Sequence, residues 1–140
     1  MNQTTNVRAL FVVAGLYDGL LGLGFLVAGP QLFSRMGVPA PNHWGYVHFP
    51  ALLLIVFAIA FFAIARDPLA NRNFIPFGVL LKISYCAIVF YYWLLGGVPS
   101  IWKPFAFIDL LFLVLFLWAY RAMRPLDAPD SNPPFSVARP

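Results

Sequence analysis

Apolar residues run along this chain in four long stretches, none of which has a polar face. One of them contains no polar residue at all between Ala51 and Ala65. A helix rises about 1.5 Å per residue, so about 20 residues cross the ~30 Å hydrocarbon core of a bilayer. The pattern therefore predicts four membrane-spanning helices, at about 9–29, 46–65, 75–95 and 101–120.

Proline and glycine mark the ends of these stretches. Pro50, Pro76 and Pro104 each lie in the first turns of a predicted span, where a missing backbone N–H costs least. The third stretch ends at Gly96-Gly97-Val98-Pro99, where glycine permits a left-handed cap and proline cannot continue the helix. We therefore expect each stretch to form a separate helix.

The composition supports a membrane rather than a soluble domain. Hydrophobic residues make up 61% of the chain and charged residues 10%, against about 45–50% and about 25% in globular proteins. A soluble buried bundle is one alternative, but four such helices cannot all be central in 140 residues. A cleaved signal peptide is a second alternative, but the first apolar stretch exceeds the usual length of a signal peptide's apolar region, about 7–15 residues. The predicted fold class is an all-α, integral membrane four-helix bundle.

The basic residues predict how this bundle lies in the membrane. With four spans, both termini share a side with the 66–74 loop, and the opposite side carries only Arg35 and Lys103. By the positive-inside rule, the termini are then cytoplasmic. We expect a cytoplasmic segment at 1–8 and a Pro-rich cytoplasmic tail at 121–140, disordered or ordered by a partner. The basic residues predicted on the cytoplasmic side are Arg8, Arg66, Arg72, Arg121, Arg124 and Arg139.

Three residues of charged type, Asp18, Lys82 and Asp109, lie inside the predicted spans. A charge near the centre of a spanning helix costs about 2.5–3.5 kcal/mol on insertion scales, whereas a strongly apolar residue returns about 0.3–0.6 kcal/mol. Counted from the cytoplasmic boundary, all three lie roughly 10–17 Å deep at the rise of a helix. We therefore expect these side chains to face protein and each other.

Other residues share the helix faces of this trio. Glycines flank Asp18 on one face of the first span, and such small residues allow a neighbouring helix to approach closely. A stripe in the third span contains Lys82 and continues through two tyrosines. The candidate intramembrane polar cluster is Asp18, Lys82, Asp109, Tyr17, Tyr85 and Tyr92, and the candidate helix-packing residues are Gly15, Gly19 and Gly22.

The cluster has three interpretations. Asp18 and Lys82 form a buried pair that fixes helix register, with Asp109 neutral or bonded to a tyrosine hydroxyl. Alternatively, Lys82 extends to the cytoplasmic interface. In the third interpretation the cluster is a polar pocket that binds a lipophilic molecule or relays protons, because intramembrane ionisable residues often mark such sites. Two carboxylates beside one lysine leave one excess negative charge, so one aspartate would hold a proton.

Other chemistry has little support in the sequence. His43 and His48 are badly spaced for one helical face, and Cys86 has no second cysteine, so we predict no metal site. No catalytic motif is present, and we predict no catalytic residue and no cofactor beyond a bound lipid or quinone. The net charge of +4 is spread over loops, which favours a lipid surface rather than nucleic acid as the partner.

Short motifs resemble those of the DoxX-like family of small bacterial membrane proteins. They are Tyr17-Asp18-x-x-x-Gly22, Pro30-x-x-Phe33-x-x-x-Gly37 and Gly78-x-x-x-Lys82, and the resemblance covers about residues 8–120. It implies a four-helix protein of the bacterial inner membrane. Some members are associated with quinone-linked sulfur oxidation, which implies a quinone neighbour. The resemblance assigns no site residue to this chain.

The sequence leaves open two hypotheses about function, which belong to different classes. The first is an accessory or structural subunit of a larger membrane complex, without enzymatic activity, whose apolar second span packs on another subunit or on lipid. The second is a bundle that binds a lipophilic molecule, such as a quinone or lipid, or relays protons through Asp18, Lys82 and Asp109. The sequence favours the first because it contains no catalytic motif. A membrane enzyme is a third class, for which the sequence indicates no substrate.

Overall fold

The computed structural model describes residues 2–124, and these residues fold into helices without any strand. A short 3₁₀ turn, Arg72–Phe74, precedes the third helix. The expectation of a disordered or partner-ordered tail falls mostly on residues from 125 onward, which lie outside the described part. The helices are α1 (Gln3–Arg35), α2 (Gly45–Arg66), α3 (Ile75–Leu94) and α4 (Trp102–Ala122).

Helix α1 is longer than the predicted span at both ends. Its 33 residues include 3–8, predicted as a segment before the membrane, and they continue past Gly29. The helix is kinked at Ala28, whose φ of −124° and ψ of 22° are not helical. Pro30 accounts for the kink, because a proline ring crowds the preceding turn and removes one backbone hydrogen bond. The last turns of α1 are thereby redirected across one end of the bundle.

The helices are arranged as two antiparallel hairpins. Helix α1 packs along α2, and α3 packs along α4, while the two hairpins touch each other much less. Gly96, with a φ of 78°, ends α3 in the left-handed conformation that glycine adopts without strain, as the sequence predicts. The separation between the hairpins leaves room for the site described below.

The three predicted packing glycines lie between α1 and α2. A methyl group added at Gly15 would come within 2.9 Å of the Phe62 ring, and one at Gly22 within 2.6 Å of the Ala51 carbonyl oxygen. Gly19 is less crowded, with Ala58 at 3.4 Å from the added carbon. The absence of a side chain thus makes room for the Phe62 ring at Gly15 and lets the backbone of α2 approach closely at Gly22.

Aromatic and aliphatic side chains fill the end of the bundle that contains the start of α1 and the end of α4. Val7 and Met123 belong to one buried cluster there, so these two ends lie together. The ring of Phe116 stacks on Phe11 with centroids 4.7 Å apart, and Phe61 meets the same ring at 5.1 Å. We call this end the packed half of the bundle.

The outer surface of the bundle is apolar. Leu20 and Val27 on α1 are 68% and 78% exposed, and all four helices carry large exposed apolar residues. Each helix is long and apolar enough to cross a membrane. The prediction of an all-helical chain with four apolar spans is confirmed for residues 2–124, and these features indicate an integral membrane protein.

We predict that Gly22→Ala destabilises the bundle by about 1–3 kcal/mol, because its methyl group must displace the backbone of α2. Thermal unfolding of the purified protein in mild detergent measures this effect. Gly24→Ala is the matched control, since its added carbon would meet only Leu32, at 3.8 Å. Equal unfolding temperatures for the two variants would contradict close α1–α2 packing at Gly22.

Candidate functional site

Three ionisable side chains from three helices meet in the interior. Lys82 of α3 donates hydrogen bonds to both carboxylate oxygens of Asp18 on α1, at 2.7 Å to Oδ1 and 3.0 Å to Oδ2. Asp109 of α4 places its Oδ1 3.0 Å from the same Lys82 nitrogen. Asp18 and Lys82 are 1% exposed and Asp109 is 6% exposed. We call these residues the Asp–Lys–Asp cluster.

The two carboxylates are held differently. Lys82 and Asp109 are close enough for an ion pair, but the contact lacks hydrogen-bond geometry, so Asp109 Oδ1 accepts no hydrogen bond from the described residues. Asp18, in contrast, receives two hydrogen bonds from Lys82. A buried acceptor without a hydrogen bond is costly and uncommon. Asp109 Oδ1 is therefore held by the ion pair with Lys82, at 3.0 Å, and not by a hydrogen bond of good geometry.

Aromatic rings hold the lysine in place. Lys82 Nζ lies 5.2 Å from the centroid of the Tyr17 ring and 5.4 Å from that of Phe112, both within the range of cation–π attraction. The ammonium group thus points to Asp18 and these rings. It does not extend to the cytoplasmic interface, as the second interpretation of the sequence had it. With two carboxyl groups around one ammonium, the cluster has one acidic group more than it has basic groups.

A cavity of about 450 Å³ begins at this cluster and extends away from the packed half. Asp18 and Asp109 line it together with Tyr17 and Tyr85, and all four helices contribute to its wall. The remaining wall is almost wholly apolar. Besides Tyr17 and Tyr85, the wall contains the aromatic residues Phe25, Phe33, Tyr46, Trp102 and Phe105.

Aromatic side chains close the far end of the cavity. Because α1 bends at Ala28, Phe33 turns inward, where its ring lies 5.4 Å from that of Trp44 and 6.2 Å from that of Trp102. Phe25 meets Trp102 at 5.6 Å. The kink in α1 therefore shapes the end of the cavity opposite the Asp–Lys–Asp cluster.

The exposed part of the cavity wall belongs to α2 and α3, which indicates an opening on the side of the bundle between these two helices. Pro50 and Leu53 of α2 line the cavity and are also exposed, and so is Ser84 of α3. These residues lie within the stretches that are apolar enough to span a membrane. A molecule dissolved among acyl chains would reach the cavity through this side.

The structure brings most of the predicted cluster together, but not Tyr92. Tyr17 and Tyr85 border the cavity with the two aspartates, and the Tyr85 hydroxyl donates to the Trp102 carbonyl oxygen at 3.3 Å. Tyr92 is 49% exposed and lies outside the cavity wall. Val89 is the last buried position of the stripe, and Tyr92, near the end of α3, packs edge-on against Tyr91 instead.

Sequence reasoning missed the aromatic wall, although the helical spacing contains a signal for part of it. Trp102 and Phe105 lie seven and four residues before Asp109, and therefore on its face of α4. Phe25 lies seven residues after Asp18 on α1. Phe33 was not predictable in this way, because the kink at Ala28 breaks the helical register.

Two other candidates have ordinary structural contacts. His43 Nδ1 accepts a hydrogen bond from the Gly45 backbone N–H at 3.0 Å, and Cys86 Sγ lies 3.4 Å from the Ala106 carbonyl oxygen. Between residues 2 and 124, no three His, Cys, Asp or Glu side chains are grouped as metal ligands would be.

No protein family, curated protein or solved structure matches the chain. The DoxX-like resemblance therefore stays a prediction, and the site has to be interpreted from its own geometry.

We predict that Asp18→Leu lowers the free energy of unfolding by about 3–5 kcal/mol, because it removes the carboxylate that accepts both hydrogen bonds of the buried Lys82 within residues 2–124. The double variant Asp18→Leu with Lys82→Leu recovers most of that loss, because it leaves no lysine to be paired. A double-mutant cycle of unfolding measurements in detergent determines the coupling. Additive losses in the double variant would contradict the pair.

Proposed function

We propose that this protein binds a lipophilic small molecule, such as a quinone or lipid, in the cavity between its four helices. The observation that carries this proposal is an apolar cavity of about 450 Å³ that begins at a cluster of buried ionisable groups. Cavities of about 300–1,000 Å³ with mostly apolar walls and a few polar groups are typical of small-molecule sites.

A purely structural role for the Asp–Lys–Asp cluster fits these observations less well. A pair that fixes helix register needs one carboxylate for one lysine, and Asp18 already supplies it. Asp109 adds a second buried acidic group, which has to share Lys82 with Asp18. Because such groups are costly inside a membrane protein, their presence beside a cavity favours a binding role.

The proposal includes the placement of the protein in a bilayer. Four apolar helices cross the membrane, both termini lie on the cytoplasmic side as the excess of arginines there predicts, and the ligand enters between α2 and α3. Assignment to the bacterial inner membrane rests on the DoxX-like resemblance alone. The cavity then lies in the half of the bilayer away from the termini.

The accessory-subunit hypothesis needs a partner-binding surface, and no observation on the outer surface distinguishes one from lipid-facing helix. The exposed apolar residues are spread over all four helices. The cavity, in contrast, is a specific feature of one half of the bundle. The geometry therefore favours ligand binding over the subunit role.

We predict that Ser84→Trp abolishes retention of the ligand, because Ser84 is an exposed residue at the cavity opening and a bulky side chain there blocks it. The measurement is mass spectrometry of small molecules extracted from protein purified in mild detergent. Ile88→Trp is the matched control, since Ile88 lies one turn further along α3, is exposed and is not part of the cavity wall.

The expected result is a lipophilic species that is present in the unmodified protein and in Ile88→Trp but lost from Ser84→Trp. Identical extracts from the two variants would contradict a ligand in the cavity. Stoichiometric co-purification of another membrane protein, with no retained small molecule, would favour the accessory-subunit function instead.

A further inference from the structure

We propose that the cavity selects lipophilic amines: molecules with an apolar body and one ammonium group, which binds Asp109. This inference rests on the proposed function and specifies the chemical class of the ligand. Three observations carry it, namely the position of the buried Asp109 in the cavity wall, the charge balance of the cluster and the aromatic side chains along the wall.

The first observation is geometric. Asp109 is only 6% exposed and lines the cavity. Its Oδ1 is buried and lies 3.0 Å from the Lys82 ammonium, so a group bound in the cavity would have to reach the other oxygen, Oδ2. Two tyrosines, Tyr17 and Tyr85, also border the cavity, and the Tyr85 hydroxyl is already directed to the Trp102 carbonyl. A donor group on the ligand would therefore bind Asp109 Oδ2.

The second observation is the charge balance. Lys82 contacts both aspartates but directs its hydrogen bonds to Asp18, so one positive charge serves two acidic groups. An anionic ligand would add a further acidic group to a cluster that already has more acidic than basic groups, in a medium of low dielectric constant. A neutral hydroxyl would satisfy the hydrogen bond but leave the charge imbalance. An ammonium group supplies both the donor and the positive charge.

The third observation is the arrangement of aromatic rings. Tyr17 already lies beside one ammonium group, that of Lys82, with 5.2 Å between the nitrogen and the ring centroid. Tyr17, Tyr85 and Phe105 line the cavity together with Asp109. Aromatic faces attract cations, and this attraction strengthens where water is excluded. A ligand ammonium would therefore bind Asp109 much as Lys82 binds Asp18, beside rings of the same kind.

The test uses the full-length protein in lipid nanodiscs and three probes that share one apolar body: biphenylmethylamine, biphenylmethanol and biphenylacetate. Isothermal titration calorimetry measures binding of each probe, and heats from empty nanodiscs are subtracted. We expect the amine to bind most tightly, the alcohol more weakly and the carboxylate not at all. This comparison needs no substitution and therefore does not depend on the folding of a variant.

Asp109→Asn then tests the residue. Loss of a hydrogen bond to a charged group is expected to weaken amine binding about tenfold to a hundredfold, while alcohol binding changes little. Asp67→Asn is the matched control, because it removes the same charge from the loop that follows α2, where Asp67 caps a turn by accepting from the Ala70 N–H at 3.1 Å. Its amine affinity should equal that of the unmodified protein.

Each alternative result has a defined meaning. Equal affinity for amine and alcohol, or an amine affinity that Asp109→Asn does not change, overturns the amine assignment but leaves a lipophilic site in the cavity. Tightest binding of the carboxylate also overturns the amine assignment. If none of the probes binds and Ser84→Trp retains the same extracted molecules as Ile88→Trp, both this inference and the proposed function fail.

Discussion

The structure depends on a buried lysine that joins the two helical hairpins. Lys82 lies on the second hairpin and Asp18 on the first, and their side chains meet at 2.7 Å with 1% exposure each. Bilayer hydrocarbon offers no hydrogen-bond partner, so a charged side chain there needs one supplied by protein. Because the hairpins touch each other much less than the helices within each hairpin do, this contact ties the depth of α3 to that of α1 across the interior of the bundle.

The cluster also marks the boundary between the two halves of the bundle. On the side of the termini, the rings of Phe11, Phe61 and Phe116 fill the space between the hairpins. On the other side, Phe33 and Trp102 pack against each other at the end of the cavity and leave its centre open. The aromatic residues therefore have two different roles, and Asp18 separates them along α1, because Phe11 precedes it in the packed half and Phe25 and Phe33 follow it in the cavity wall.

Sequence reasoning succeeds where one physical quantity decides the outcome. Helix rise and the cost of buried charge place Asp18, Lys82 and Asp109 at a common depth facing each other, and in the structure the three meet. It fails where the outcome depends on the relative placement of helices. The cavity follows from how the two hairpins separate, and the geometry of the Lys82–Asp109 contact from how α3 packs on α4, and no periodicity within a single helix contains either.

Burying the ionisable groups of the cluster costs free energy, and this cost bears on what the cluster is for. Well-packed apolar side chains often replace a buried ion pair without loss of stability, and the packed half of this bundle already uses such side chains. Asp109 adds cost without completing a hydrogen bond to Lys82. Asp18 accepts both hydrogen bonds of Lys82, whereas Asp109 contacts Lys82 and also lines the cavity. The two acidic groups therefore differ in role on the ligand-binding proposal: Asp18 joins the hairpins through Lys82, and Asp109 presents an acidic group to the cavity.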